Sequence, residues 1–186
     1  MLKKIKISKN RLILIQNSVG IIKVITPFNP LENEVIFVTK YTWYNTQVPN
    51  NIKVRQVYGI VFSDDYKVLL RIEDNKYKLT GGKPEENESY EETLKREYIE
   101  ELNVELDKCY YLGYLLVEDN NEKYAQVRMI ARIKSIYENH VDPATGKMYG
   151  RKLVSIDKIK ELLNYQDEAG NIMIDEAIEK AKELYN

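Results

Sequence analysis

A chain of 186 residues with 44% hydrophobic and 31% charged side chains is long enough for one globular domain with a small appendage. Its formal net charge of −1 creates no global field to attract nucleic acid or an anionic membrane, so duplex binding is disfavoured. The single cysteine, Cys109, excludes an internal disulfide, and no apolar run reaches membrane-spanning length, so a soluble protein of the reducing cytoplasm is expected.

The first 48 residues are rich in β-branched and aromatic side chains, in the runs KIKI, RLILIQ, GIIKVI and NEVIFVTKYTWYN. Pro27, Pro30 and Asn33 punctuate them, which predicts three or four short strands. Gln16, Asn17, Ser18 and Lys23 interrupt the apolar stretch, so no secretory core is expected. This segment is too small to fold well alone and is expected to pack on the rest of the chain or on a second subunit as a homodimer. Residues 47–51 read as a linker. Strands are then predicted over 54–64, 66–74 and 76–80, with turns at Asp64-Asp65 and Asn75. Leu79-Thr80-Gly81-Gly82 follows, where two glycines allow a tight turn and a close backbone approach to a ligand.

A helix is predicted over about 90–102. Ser89 is its N-cap, and Glu92 completes a capping box. Asn103 is the residue just past its end, where a left-handed backbone is needed and Asn substitutes well for Gly. Glu97, Glu100 and Glu101 are spaced i, i+3, i+4 and share one face. Leu94, Tyr98 and Leu102 form an apolar stripe beside them that would pack on a sheet. Three carboxylates on one face repel each other at neutral pH. A divalent cation removes that repulsion, and hard oxygen donors suit Mg²⁺ or Mn²⁺. The bland alternative is a solvated acidic face, which is what most charge runs are.

Beyond the helix, 109–119 and 123–135 read as a hairpin around Asn120-Asn121. Cys109 falls in the first of these strands, as a small buried side chain rather than a nucleophile. A loop over 139–150 leads to a strand at 151–156 and a helix over about 157–163. Ile174, Ala177, Ile178, Ala181 and Leu184 recur at helical spacing in the last segment, with Asp175 placed near the start of that helix.

The run GKPEENESYEETLKREYIEELNV, residues 82–104, resembles the signature of the Nudix hydrolases, of which MutT is a member: G-x5-E-x7-R-E-U-x-E-E-x-G-U, with U a bulky aliphatic residue. Gly82, Glu88, Arg96, Glu97, Glu100 and Glu101 occupy its fixed positions, and Val104 fits the last U. Tyr98 stands where an aliphatic is usual, Asn103 where Gly is usual, and Thr80 where Pro is common. The resemblance implies an α/β fold, an αβα sandwich with a mixed central sheet, over residues 51–186, with residues 1–50 as a β-rich extension that it does not cover. It implies a metal-dependent pyrophosphohydrolase that splits a nucleoside diphosphate linked to another group, NDP-X, into NMP and X-phosphate. The metal shell would comprise the Gly81 carbonyl with Glu97, Glu100 and Glu101, and the cofactor would be Mg²⁺ or Mn²⁺. Gly82, Glu88 and Asn103 would be structural members of the motif. Arg96 would pair with Glu88 or Glu100 and hold the loop against the helix; its bland alternative is a surface pair with Glu92 or Glu100.

One of the helix carboxylates, or one from a later loop, would act as base. Glu118, Glu122, Glu138 and Asp142 are the later candidates, each weighed against a plain surface role. The partner is a nucleotide-type small molecule. Which one lies outside the motif: Tyr114 and Tyr124 could stack on a base, and Arg71, Arg128, Lys147 and Arg151 could bind phosphate. His140, the only histidine, sits in a polar loop and is expected to face solvent. The competing class is a non-catalytic Nudix-like module that senses a nucleotide for a partner. An isomerase of the isopentenyl-diphosphate type is a weaker rival, because it needs a cysteine ahead of the helix and Cys109 lies behind it.

Overall fold

In a computed structural model of the chain, residues 39–119, 122–165 and 167–185 are described in full, together with the backbone of three short strands nearer the N-terminus. Those strands are β1 (Lys3–Lys6), β2 (Ile13–Gln16) and β3 (Ile22–Ile25), paired antiparallel in sequence order. The segment's described end, residues 39–48, does pack on the core: strand Lys40–Tyr44 pairs with Tyr114–Glu118 of the central sheet, and Trp43 and Val48 lie against buried residues. For the residues before it, the same expectation, and that of a second copy, concern side chains outside the described residues.

The central sheet is built from β4 (Lys40–Tyr44), β5 (Lys53–Phe62), β6 (Val68–Glu73), β10 (Tyr110–Asp119), β11 (Glu122–Ile136) and β12 (Gly150–Val154), in the order β12-β6-β5-β11-β10-β4. β5 and β11 run parallel and the other pairs on this path antiparallel, so the sheet is mixed. Shorter strands attach to it: β7 (Lys76–Lys78) to β6, β8 (Thr80–Gly82) to β5, and β9 (Val104–Leu106) to β11.

The strand period of two sorts the core into two layers. Val57 and Val61 of β5 join Val127, Met129 and Ala131 of β11 under Leu94, Tyr98 and Leu102 of α1 (Tyr90–Leu102). Ile60 and Phe62, with Ile130, face the opposite way, onto Ile159 of α2 (Ile159–Leu162) and Met173, Ile174, Ala177 and Ala181 of α3 (Glu168–Tyr185). Both faces of β5 are therefore covered, which explains its nearly unbroken run of buried residues. The result is the expected αβα sandwich.

Tyr98, the departure from an aliphatic position, is fully buried, and its hydroxyl donates to the Gly59 carbonyl at 3.2 Å. Gly59 makes the room: a Cβ there would lie 2.9 Å from Leu94 Cδ1 and 3.0 Å from Tyr98 Cε2. Gly59→Ala is expected to force this interface apart and cost about 1–3 kcal/mol, read as a lower urea midpoint at unchanged slope. An unshifted midpoint would mean that α1 and β5 are not held in contact at Gly59.

Three expectations need correction. Gly81 and Gly82 do not form a tight turn; they are extended in β8, with Gly81 opposite Tyr58 and Gly82 opposite Val57. The backbone needs glycine at Gly81 because φ is 151° and a Cβ would sit 2.0 Å from the Val57 carbonyl oxygen. Cys109 precedes β10 rather than lying in it, although it is buried as expected. The last helix begins at Glu168, so Asp175 is well inside it; Asp167 caps the start by accepting from the Gly170 amide at 2.6 Å.

Candidate active site

The helix that carries the acidic face starts and stops where its caps dictate. Ser89 accepts from the Glu92 amide, and Glu92 accepts from the Ser89 amide at 2.8 Å, the reciprocal capping box. Asn103 ends the helix at φ 49°, with its amide donating to Ile99 O at 3.0 Å. Its side chain donates to the Glu138 carbonyl at 2.6 Å, and the Arg151 guanidinium donates to Leu102 O, satisfying a terminal carbonyl of α1. With both ends held, Glu97, Glu100 and Glu101 project from one face beside β8.

Arg96 binds this face to the loop before the helix. Its Nε donates to Glu88 Oε1 at 2.7 Å and its Nη2 to Glu88 Oε2 and the Lys83 carbonyl, both at 3.1 Å. Its Nη1 donates to Glu97 Oε1 at 2.8 Å and Glu100 Oε2 at 3.0 Å. Of the two partners in the bland reading, Glu92 is occupied by Ser89, while the pair with Glu100 is present alongside the others. The bidentate Arg96 pair, with the Glu85 amide and the Thr93 hydroxyl, holds the Glu88 carboxyl down at about 2.

Glu101 is 7% exposed and is paired with Arg71, a side chain itself largely buried. Arg71 also lies 3.5 Å from Glu73 and 4.6 Å over the Tyr149 ring. Glu73 accepts from Lys78 at 2.5 Å and from Lys147 at 3.2 Å, which hold its carboxyl at about 2. Lys147, a phosphate candidate from sequence, is thus partnered.

Glu73 and Glu88 both ionise near 2 against an ordinary 4.5. Depressed carboxyls contribute stability that is present above the unfolded value and lost as pH falls through the folded one. Urea midpoints are therefore expected to fall steadily from about pH 4.5 to 2. A midpoint that stays level across that window would contradict both pairings.

The residues present fit a divalent cation. Glu101 Oε2 is a buried oxygen with no hydrogen-bond partner among the described residues. Glu97 lies so close to β8 that a Cβ on Gly82 would come 2.1 Å from Glu97 Oε1, so the missing side chain is what admits the carboxylate. Burial pushes the Glu97 carboxyl above its ordinary value, with Glu100 and Asp142 adding to the rise and Arg96 opposing it. Every donor on this face is a hard oxygen. Among the described residues no three acidic side chains already converge on one point, since Arg96 takes Glu97 and Glu100 while Arg71 takes Glu101.

The other sequence candidates have settled places. Glu118 pairs with Lys40 and Lys123, and Glu122 with Arg55. Asp142 is buried and closes its own loop, accepting from the Ala144 amide at 2.8 Å and the Thr145 hydroxyl at 2.7 Å. Glu138 is exposed and His140 half-buried. Tyr114 is buried and stacked on Tyr44, with centroids 5.2 Å apart; Tyr124 lies under Arg55. Neither ring is a free platform for a base. Burial raises the Cys109 thiol to about 12, which leaves it inert as a nucleophile at neutral pH.

The NUDIX domain profile matches residues 53–173 of the chain. The chain belongs to the Nudix hydrolase family. By that membership it is an enzyme of the pyrophosphohydrolase class, whose members act on small nucleotide substrates and generally use divalent metals. The Nudix fold recurs in solved structures. A mutant of the Bacillus subtilis pyrophosphohydrolase BsRppH is 22% identical with a TM-score of 0.61, the match covering 76% of this chain and 92% of that one. The MutT protein from Methanosarcina mazei Go1 is 19% identical with a TM-score of 0.50, over 73% of this chain and 99% of that one. No curated protein matches the chain by sequence. Among the described residues, no helix of this Nudix protein is long and apolar enough to cross a membrane.

Sequence reasoning missed the pairing of Glu101 with Arg71 and the cavity next to it. Arg71 lines that cavity together with Tyr58, Tyr77, Gln126, Arg128 and Tyr165. One signal was present: Arg128 interrupts the otherwise apolar stretch of β11, where a buried cation requires a reason.

Proposed function

We propose that this chain hydrolyses a phosphoanhydride bond in nucleoside diphosphate derivatives, NDP-X, giving NMP and X-phosphate, with Mg²⁺ or Mn²⁺ held by Glu97, Glu100, Glu101 and the Gly81 carbonyl. The observation that carries the reading is the orphaned, buried Glu101 oxygen on the same helix face as Glu97 and Glu100, beside a strand whose glycines leave space for a ligand. When bound, the cation neutralises phosphate oxygens and makes the attacking water more acidic. The chain's own residues do the remaining work. Arg96 fixes the α1 face against residues 83–88, so the carboxylates keep one geometry. Arg71 brings a cation to the edge of that face, where charge builds on the leaving phosphate. The water's proton passes to one of the helix carboxylates.

The test is a panel of NDP-sugars, ADP-ribose, dinucleoside polyphosphates and NTPs with Mg²⁺ or Mn²⁺, with products identified by mass. NMP with X-phosphate, or NMP with pyrophosphate, is the expected outcome. A phosphomonoester has no bridging phosphate and is expected to be a poor substrate. Release of phosphate from AMP or glucose phosphate, with every anhydride untouched, would overturn the reading.

A further inference from the structure

The cavity lies on the face of the sheet opposite α1, between the strands and the α2–α3 connection. Its volume is about 410 Å³, within the usual range for a small-molecule site. Arg71 lines it while also pairing with Glu101, so the cavity begins where the carboxylate face ends. The sheet allows this. β5 meets β6 only at Phe62 and Val68, and further along pairs with β8 from Val57 to Gly59, which leaves an opening between β5 and β6.

Arg128 is the unexplained residue. It is 3% exposed, and its hydrogen bonds among the described residues go to carbonyl and amide oxygens, not to a carboxylate. A guanidinium has five N–H donors. Nη1 donates to the carbonyls of Gln126 at 3.3 Å and Val127 at 3.2 Å, and Nη2 donates to Gln126 Oε1 at 3.2 Å. Nε has no partner. The buried Nε–H and one Nη2–H are thus without a partner among the described residues; on a guanidinium the Nε and Nη2 edge is the fork that meets two acceptors side-on. The orientation is imposed from behind: Gln126 Nε2 donates to Gln56 Oε1 at 2.7 Å, which turns the Gln126 carbonyl oxygen toward Arg128. The guanidinium sits over the Tyr58 ring, with Cζ 4.8 Å from the ring centre. The cost of a buried cation with no counter-charge is met when a ligand supplies the acceptors.

Three kinds of ligand present two acceptors to such a fork: a phosphate, a carboxylate and the O6/N7 edge of a 6-oxopurine. The cavity selects among them. It far exceeds one phosphate, and Tyr41, Tyr58, Tyr77 and Tyr165 line it with aromatic surface. We infer that this cavity is the base-recognition site of the hydrolase proposed above, and that Arg128 selects 6-oxopurine nucleotides over adenine nucleotides. Adenine offers N7 but turns an N6 donor toward the guanidinium, so donor faces donor. The inference rests on the hydrolase reading for the placement of the phosphates alone.

Equilibrium binding of GDP, IDP, 7-deaza-GDP and ADP to the full chain without divalent metal tests it, with inorganic phosphate as a control. GDP and IDP are expected to bind similarly and about tenfold or more tighter than ADP, because a good bidentate contact discriminates at that level. IDP isolates the O6 edge from the guanine amino group. 7-deaza-GDP, lacking the N7 acceptor, is expected to fall toward ADP. Arg128→Met is expected to equalise the four, and Gln126→Leu, which releases the fork, to narrow the gap. Should the Met variant fail to fold, the wild-type ligand series still decides. ADP binding within twofold of GDP and IDP, 7-deaza-GDP equal to GDP, or phosphate alone matching the nucleotides would overturn the inference. Turnover is measured beside binding. A guanine preference in binding with no hydrolysis of any anhydride leaves this site standing and removes the hydrolase reading. Hydrolysis with equal kcat/KM for guanine and adenine substrates removes the site alone.

Discussion

Glu101→Gln is expected to lower kcat by about 10²–10³-fold on a proven substrate while the fold stays intact. Glutamine keeps the volume of the side chain and an oxygen for Arg71, so packing around this 7%-exposed position is retained. What disappears is a negative charge whose Oε2 has no hydrogen-bond partner among the described residues. If that oxygen is a metal ligand, the apparent affinity for Mn²⁺ falls together with turnover. Circular dichroism and a thermal melt verify the fold, and a Mn²⁺ titration of activity separates lost affinity from lost chemistry. A variant with wild-type activity at every metal concentration would show that Glu101 serves only to neutralise Arg71.

The residues involved in that prediction show what a sequence can and cannot reveal. The helix from Tyr90 to Leu102 was legible at both ends because its signals are local: Ser89 and Glu92 lie three residues apart, and Asn103 follows the last turn. The shared acidic face was legible for the same reason, since helical periodicity alone aligns Glu97, Glu100 and Glu101. Partner choice was not legible. Arg71 is thirty positions from Glu101 and meets it only through the tertiary fold, so nothing in either neighbourhood marks the pair. Tyr98 looked like a departure from its motif until Gly59, on a strand far away in sequence, supplied the space. β8 and β9 are three residues each, too short for periodicity to register, and their order comes from pairing with β5 and β11. The apolar repeat that marks α3 starts only at Ile174, so its first turn carried no such signal; there Gly170 lets Tyr165 pack close, where a Cβ would come within 2.9 Å.

Arg96→Ala is expected to loosen the site and to make the protein's stability depend strongly on divalent metal. Arg96 touches Glu88, Glu97, Glu100 and the Lys83 carbonyl together. Its removal frees the loop and leaves the acidic face of α1 without its internal cation. A fully buried pair broken on one side costs about 3–5 kcal/mol and an exposed one under about 1. Arg96 is 22% exposed, which places the loss between these limits, at about 2 kcal/mol. For a chain of this size that lowers Tm by roughly 4–8 °C. The carboxylates that Arg96 had neutralised then repel each other, and a bound cation relieves more repulsion in the variant than in the wild type. Saturating Mn²⁺ is therefore expected to raise the variant's Tm by more than it raises the wild type's, narrowing the gap between them. Arg96→Lys, which keeps the charge but loses the fork, is expected to fall between the two in both respects. Parallel melts with and without Mn²⁺ read the outcome: equal metal-induced shifts in all three proteins would mean that Arg96 and the cation act on different carboxylates.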